Sequence, residues 1–336
     1  MLKKRWALSV PVEPFPLSEH PKIAREMWDL GYTDAWSYEA DGIDCFSPLA
    51  AIAMTTEMRV GTAIANVFSR GPAVLAQTAS GLAQLAPERF ELGIGTGSEI
   101  TSGAWNSVNF ERPLTRVREM VEFLRKAFSG EKVIYEGSTF RVNGFRLSRR
   151  PDPPPRIHIA ALRPGMLALA GEVGDGAIIN WLSAEDVKKS VAVVRKAAGE
   201  AGRDPDSIEI IARLMVCVDP PGEMADTGMR RSITGYVTVP VYKKFHQWLG
   251  RGEALEAVWH NWEEGDRRAA TASLSPKTIG ELMIHGSAQE RREHVMRYLE
   301  SGVDTAFLQM HSFETDTDKR GAYVMQSLRE MAPSAY

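Results

Sequence analysis

Cysteine is nearly missing from this sequence: Cys45 and Cys217 are the only two, far apart and in no metal-ligand spacing. That argues against a disulfide framework and a zinc knuckle, and reads the thiols as small core residues in a reducing compartment. Long apolar runs are missing too, since none approaches the roughly 20 residues of a membrane span. The start is basic and then apolar, but Pro11, Glu13, Pro14 and Pro16 cut the apolar stretch too short for a signal peptide. No sign of charge dominates: the net charge is -3, which leaves no footprint for nucleic acid or an anionic membrane. The histidines and carboxylates show no spacing such as His-Glu-x-x-His, so no metal is expected. No Ser-His-Asp set can be argued. The expectation is a soluble cytoplasmic protein acting on a small molecule.

What is present is ordinary globular composition, 44 % hydrophobic and 25 % charged, able to bury a large core without staples. Short apolar runs at 6–11, 33–38, 59–64, 89–94, 156–161, 177–180, 208–218 and 305–310 read as buried strands. Amphipathic stretches between and after them read as helices. In the one at 21–30, Ile23, Met27 and Leu30 share a face and Gly31 ends the run. Two stretches break the rhythm. Residues 133–147 alternate like a hairpin, with turn residues at Glu136-Gly137-Ser138 and at Asn143-Gly144. Residues 220–276 are irregularly helical, carry Tyr236, Tyr242, Trp248, Trp259 and Trp262, and read as an inserted lid. Parallel strands covered on both faces read as short apolar runs, and eight of them suggest closure. The fold expected over 1–336 is one α/β domain, a (β/α)8 TIM barrel. It carries a hairpin insertion after helix 4 and a helical insertion after strand 7.

Chemistry in such a barrel sits at the C-terminal ends of its strands. Glu13 follows the first strand, Glu39 and Ala40 the second, and Ala63-Ile64-Ala65-Asn66 the third. Gly95-Thr96-Gly97-Ser98-Glu99 follows the fourth, Ala160-Ala161-Leu162-Arg163-Pro164-Gly165 the fifth, and Asn180-Trp181 the sixth. Arg213 lies within the seventh and His311 follows the eighth. Pro164 suits the first turn of a helix. The free N–H groups of Gly165 and Met166, the helix dipole and Arg163 would then form a phosphate seat. A capped helix start with a solvated arginine has the same pattern and is preferred on the residues alone. Gly95-Thr96-Gly97 lacks the lysine of a P-loop and the third glycine of a dinucleotide fingerprint. It reads as a tight turn, or as backbone bare enough for a flat ring to approach. Glu13 and Glu39 are acids, bases or acceptors, or else rim carboxylates paired with arginines. His158, inside an apolar strand, reads as a core histidine, and the aromatics of the insertion as helix packing.

Five segments carry a resemblance: Arg59-Val-Gly-Thr-Ala-Ile64, Ser69-Arg-Gly-Pro-Ala73, Arg89-Phe-Glu-Leu-Gly-Ile-Gly-Thr-Gly97, Ile157-His-Ile-Ala-Ala161 and Ala170-Gly-Glu-Val-Gly-Asp-Gly176. In this order and spacing the chain resembles the luciferase-like (bacterial luciferase-type) superfamily, in its branch of coenzyme F420-dependent oxidoreductases. The likeness covers about residues 5–218 and, less fully, 276–330. It implies a deazaflavin, coenzyme F420, in the C-terminal mouth, with FMN as the alternative. It implies a cis peptide between two non-proline residues, here Ala63-Ile64, behind the ring, with Ala65, Asn66, Gly95 and Gly97 around it. It puts Glu39 against the ring, the cofactor phosphate on Ala160, Ala161, Leu162 and Arg163, and Asn180 and Trp181 along the cleft.

The chain also departs from the similar sugar-phosphate dehydrogenases. Their catalytic histidine falls on Ala40, their acid after the fourth strand on Ser98 with Glu99 one place on, and their phosphate-binding lysine near Ser183. Glucose 6-phosphate is therefore not expected, and Glu13 and Glu99 stand as the proton donors or acceptors. The implied activity is hydride transfer between carbon 5 of the deazaflavin and a small alcohol, carbonyl or activated alkene. Two alternatives stand beside it: an FMN-dependent monooxygenase fed by a separate reductase, and a non-catalytic flavin- or deazaflavin-binding protein. Relatives commonly form homodimers through barrel helices.

Overall fold

The computed structural model describes residues 2–335. Eight parallel strands close into a barrel: Arg5–Val10, Asp34–Ser37, Arg59–Thr62, Phe90–Gly95, Arg156–Ala160, Gly176–Asn180, Glu209–Cys217 and Thr305–His311. The eighth pairs with the first in register Arg5 to Thr305 and Ala7 to Phe307. The third pairs with the fourth at Val60 and Phe90. Closure leaves no strand edge to protect. The third strand breaks after Thr62 and resumes as Ala65–Asn66 beside Ile94 and Gly95. Between the two pieces the Ala63–Ile64 peptide is cis. Helices cover the outside, and their starts carry local signals. Pro72, Pro113 and Pro164 open three of them. Ser183 with Asp186, and Ser287 with Glu290, form capping boxes on two others. Among the described residues no helix is long and apolar enough to cross a membrane. Cys45 and Cys217 are both free and buried.

Two sequence expectations are corrected here. The hairpin after the helix Pro113–Phe128 exists, as Val133–Glu136 and Arg141–Phe145. Asn143-Gly144 is not a turn of it, because both residues lie inside its second strand. Gly144 has φ +77, and the pairing slips between Val133 and Ile134. The glycine makes a bulge rather than a reversal. The insertion runs beyond 276. It comprises the helices Glu223–Val237, Pro240–Leu249, Gly252–Glu263, Arg267–Ala272 and Pro276–Leu282. Ile279, Leu282 and Met283 complete its apolar cluster with Met229, Ile233 and Trp259. Ile284 then returns to the barrel, with its N–H on the Met215 carbonyl at 2.8 Å and its carbonyl receiving the Cys217 N–H at 2.8 Å. That bond pattern fixes where the insertion ends.

Alternate residues of a strand share a face, so the barrel interior fills in layers. The middle layer is apolar: Ala7, Trp36, Ile178, Ile211 and Phe307 pack together. Trp36 is fully buried and stacks on Phe307 at 6.2 Å between ring centroids. Gly61 is what admits it, since a Cβ there would lie 2.5 Å from the indole ring. The layer below, at the N-terminal end, is ionic. Arg59 donates to Glu209 at 2.9 and 2.7 Å, to Thr305 at 2.9 Å, to Glu91 at 3.4 Å and also to Asp34. Arg156 reaches Glu209 at 2.8 Å, and His158 Nε2 meets Glu91 at 2.6 Å. His158 is thus a core histidine partnered on one nitrogen, while its Nδ1 has no hydrogen-bond partner.

Candidate active site

Two residues on from the middle layer, the C-terminal layer divides in two. The third, fourth and fifth strands contribute Ala63, Gly95 and Ala160, so that half is floored by small side chains. A Cβ on Gly95 would stand 3.0 Å from the Ala160 methyl and 3.1 Å from Ile64 Cγ1, which leaves no room for anything larger. The remaining strands contribute Ser9, Tyr38, Asn180, Arg213 and Gln309. Arg213 reaches across the barrel to place its guanidinium carbon 4.5 Å from the centre of the Tyr38 ring. Its Nε donates to the Gln309 side-chain oxygen. Tyr38, Gln309, Ser9, Glu13 and His311 line a cleft of about 340 Å³ between the first and eighth strand ends.

Tyr38, Tyr242 and His311 in this half are pushed toward their neutral forms. Burial pushes the Tyr38 phenol above its ordinary range, against the opposing charge of Arg213. Burial pushes the Tyr242 phenol up to about 12. Burial, helped by Arg213, holds His311 down to about 4, so its imidazole is uncharged near neutral pH. Ser9 Oγ and His311 Nε2 are buried without a hydrogen-bond partner.

The sequence-derived candidates sort as follows. Glu13 is exposed at the lip of the cleft. Glu99 is exposed too, ahead of the π-helical turn Ile100–Ala104, and is not among the residues lining that cleft. Glu39 is engaged internally: one oxygen accepts the Asn66 N–H at 3.2 Å and the other accepts Arg70. It therefore ties down the resumed third strand. Ala65 and Asn66 are buried, and Asn66 Oδ1 accepts the Phe68 N–H at 2.8 Å. Asn66 Nδ2 is buried without a partner beside Gly97, where a Cβ would lie 2.4 Å from it. Gly97 itself has φ +61, a conformation glycine adopts freely.

On the fifth-strand loop Arg163 is exposed, Leu162 half-buried and Ala161 buried. The free Met166 N–H expected there is taken: it donates to the Arg163 carbonyl at 3.0 Å. The tight first turn of the helix Pro164–Val173 consumes that donor. The Ala161 N–H is used as well, on Ile178 at 2.9 Å. Asn180 donates to the Tyr242 hydroxyl at 3.5 Å. Trp181 is 2 % exposed and packs on Tyr236 with ring centroids 4.2 Å apart, so its ring lies under the insertion. Two aromatics that read as helix packing, Tyr236 and Tyr242, therefore roof the mouth. Tyr38 and Gln309 gave no sequence signal. Counting outward by twos from Trp36 and Phe307 would have found them.

The chain is similar to several known proteins. A 5,10-methylenetetrahydromethanopterin reductase of Archaeoglobus fulgidus is 27 % identical over 298 residues, 86 % of this chain and 87 % of the relative. The reductase of the same name from Methanolobus tindarius is 30 % identical over 213 residues, 62 % of this chain and 64 % of the relative. An F420-dependent glucose-6-phosphate dehydrogenase of Mycobacterium tuberculosis is 32 % identical over 180 residues, and the match spans 53 % of its length. Among solved structures, an F420-dependent secondary alcohol dehydrogenase bound to an F420–acetone adduct superimposes with a TM-score of 0.79 over 100 % of both chains. It is 20 % identical, so the likeness is one of fold. The family model for luciferase-like monooxygenases matches residues 3–305, and the chain belongs to that family.

Proposed function

We propose that this protein is a coenzyme F420-dependent oxidoreductase that exchanges a hydride with a small alcohol, carbonyl or activated alkene. The observation that carries this reading is the divided C-terminal layer. Ala63, Gly95 and Ala160 keep this half to small side chains beside Ile64, as the approach of a flat tricyclic ring requires. The unpartnered Asn66 Nδ2 offers a donor at its edge. When bound, the deazaflavin supplies the ring carbon that takes or gives the hydride. The phosphate goes to the loop before Pro164, where Arg163 adds positive charge and Leu162, Arg163 and Gly165 present main-chain N–H groups at a helix start. With Ala161 already bonded, that residue shapes the seat through its backbone position. Ala160 and Ala65 keep the floor low, and Glu39 holds the floor in place through Asn66. Trp181 and Asn180 anchor the roof, which keeps water from the reacting carbon.

Glu13, on the lip of the cleft, is the candidate for moving the substrate proton, and Glu99 is the second. Glu13→Gln and Glu99→Gln compared with wild type in single turnover test these roles; full rate in both variants at every pH would remove them. The reading as a whole is tested by titrating the apoprotein with coenzyme F420 and, separately, with FMN, following fluorescence quenching. Saturable binding of F420 with weak FMN binding is the expected result. The reverse preference would move the function to a flavin monooxygenase, a chemistry that the aromatic roof would also suit.

A further inference from the structure

Arg213 is a permanent cation set in the barrel mouth, and its surroundings are unusual for one. Both of its close fixtures, the Tyr38 ring and the Gln309 amide, are uncharged. Among the described residues no carboxylate lies within ion-pair distance of it. Glu13, which faces Tyr38, is exposed at the lip. The other cations inside the barrel are treated differently: Arg59 alone faces Asp34, Glu91 and Glu209. A half-buried guanidinium is costly to leave without a counter-charge. Nearby, Ser9 Oγ and His311 Nε2 are buried and unpartnered, and both residues line the cleft that Tyr38 and Gln309, the two fixtures of Arg213, also line. The Tyr38 ring covers one face of the guanidinium, and Gln309 takes its Nε. The two terminal nitrogens remain, edge-on, as a fork suited to a planar anion.

We propose that Arg213, with Ser9 and His311 beside it, binds a carboxylate of the substrate, so that the natural substrate is a small organic acid bearing the oxidisable or reducible group. This rests on the oxidoreductase reading for the reaction, but not for the anion site itself. The cleft of about 340 Å³ lined by Ser9, Tyr38, Gln309 and His311 lies at the small end of the range for ligand pockets, which suits a molecule of a few carbons. Gln309 and Tyr38 act as positioning residues that hold the fork.

The test uses butanoate and its neutral isostere butanamide as probes on the full chain, by calorimetry or ligand-observed NMR, with and without F420. Wild type is expected to bind butanoate in preference to butanamide. Arg213→Gln is expected to lose roughly 10- to 100-fold in butanoate affinity, the range for a charge-assisted hydrogen bond, with butanamide unchanged. Arg213→Lys, which keeps the charge without the fork, is expected to fall between them. F420 quenching is expected to be the same in Arg213→Gln as in wild type. If F420 affinity falls instead and butanoate binding does not, the anion belongs to the cofactor and the proposal is overturned. Equal binding of the two probes by wild type would also overturn it. Butanoate binding without any F420 binding would keep the anion site and discard the oxidoreductase reading. Circular dichroism on each variant separates loss of the site from loss of the fold.

Discussion

The two ends of one barrel treat charge in opposite ways. At the N-terminal end Arg59, Arg156, Asp34, Glu91 and Glu209 satisfy one another in a closed set of ion pairs and hydrogen bonds. At the C-terminal end Arg213 has neutral neighbours, and Asn66 Nδ2, Ser9 Oγ and His311 Nε2 have none. Buried polar groups are normally paired, so unpaired ones call for an explanation. The lower charges are all paired within the chain, with only His158 Nδ1 beside them lacking a partner, whereas the upper set is complete only with a ligand. Charge inside a barrel is therefore not itself a sign of function, and the state of its partners is.

The largest expected effect lies at the lower end. Arg59→Met leaves three buried carboxylates without their shared cation and is expected to cost about 3–5 kcal/mol, read from the denaturant midpoint. A loss under about 1 kcal/mol would break the contrast. The middle layer comes next. Gly61→Ala forces a methyl into the Trp36 ring and is expected to cost about 1–3 kcal/mol, with a shift in tryptophan fluorescence. At the upper end Arg213→Gln is expected to change stability by less than about 1 kcal/mol while it abolishes preference for the anionic probe. A stability loss as large as that of Arg59→Met would make Arg213 structural.

Acid sharpens the same comparison. Burial raises the Glu209 pKa, but the hydrogen bonds and charge of Arg59 outweigh it and hold the group below its ordinary value of 4.5. Its folded-state pKa is depressed, so its stabilisation is full above about pH 4.5 and is lost as pH falls below that. His246, in the insertion, is fully buried, and burial lowers its pKa to about 3. The unfolded chain binds that proton near pH 6.5, so stability drains as pH falls from about 6.5 toward 3. The insertion is expected to loosen at a higher pH than the barrel floor. Hydrogen exchange at pH 7 and pH 5 checks this. Equal protection of 223–282 at both values, relative to the strands, would count against it.

Much of the barrel was legible because its signals are local. Apolar runs such as Glu209–Cys217 and capping residues such as Ser183 act within a few neighbours along the chain. The order of motifs from Arg59 to Gly176 pointed to the family. Local pattern failed where the answer depended on a distant partner. Asn143-Gly144 carries turn chemistry, yet its strand pairs through with a bulge. The Met166 N–H was free in principle, and the tight first turn of its helix took it. Glu39 was legible as a rim acid, but its engagement by Arg70 and Asn66 was not.

By itself the sequence determined the strand–helix alternation, the place of the insertion and which residues end each strand, because periodicity and capping are properties of neighbours. Closure alone decided that residues from the second, seventh and eighth strands meet as Tyr38, Arg213 and Gln309. It also decided that Arg59 finds its acids while Arg213 finds none. Which charges are paired is settled by contacts across the barrel between residues far apart in the chain, and no local pattern encodes that.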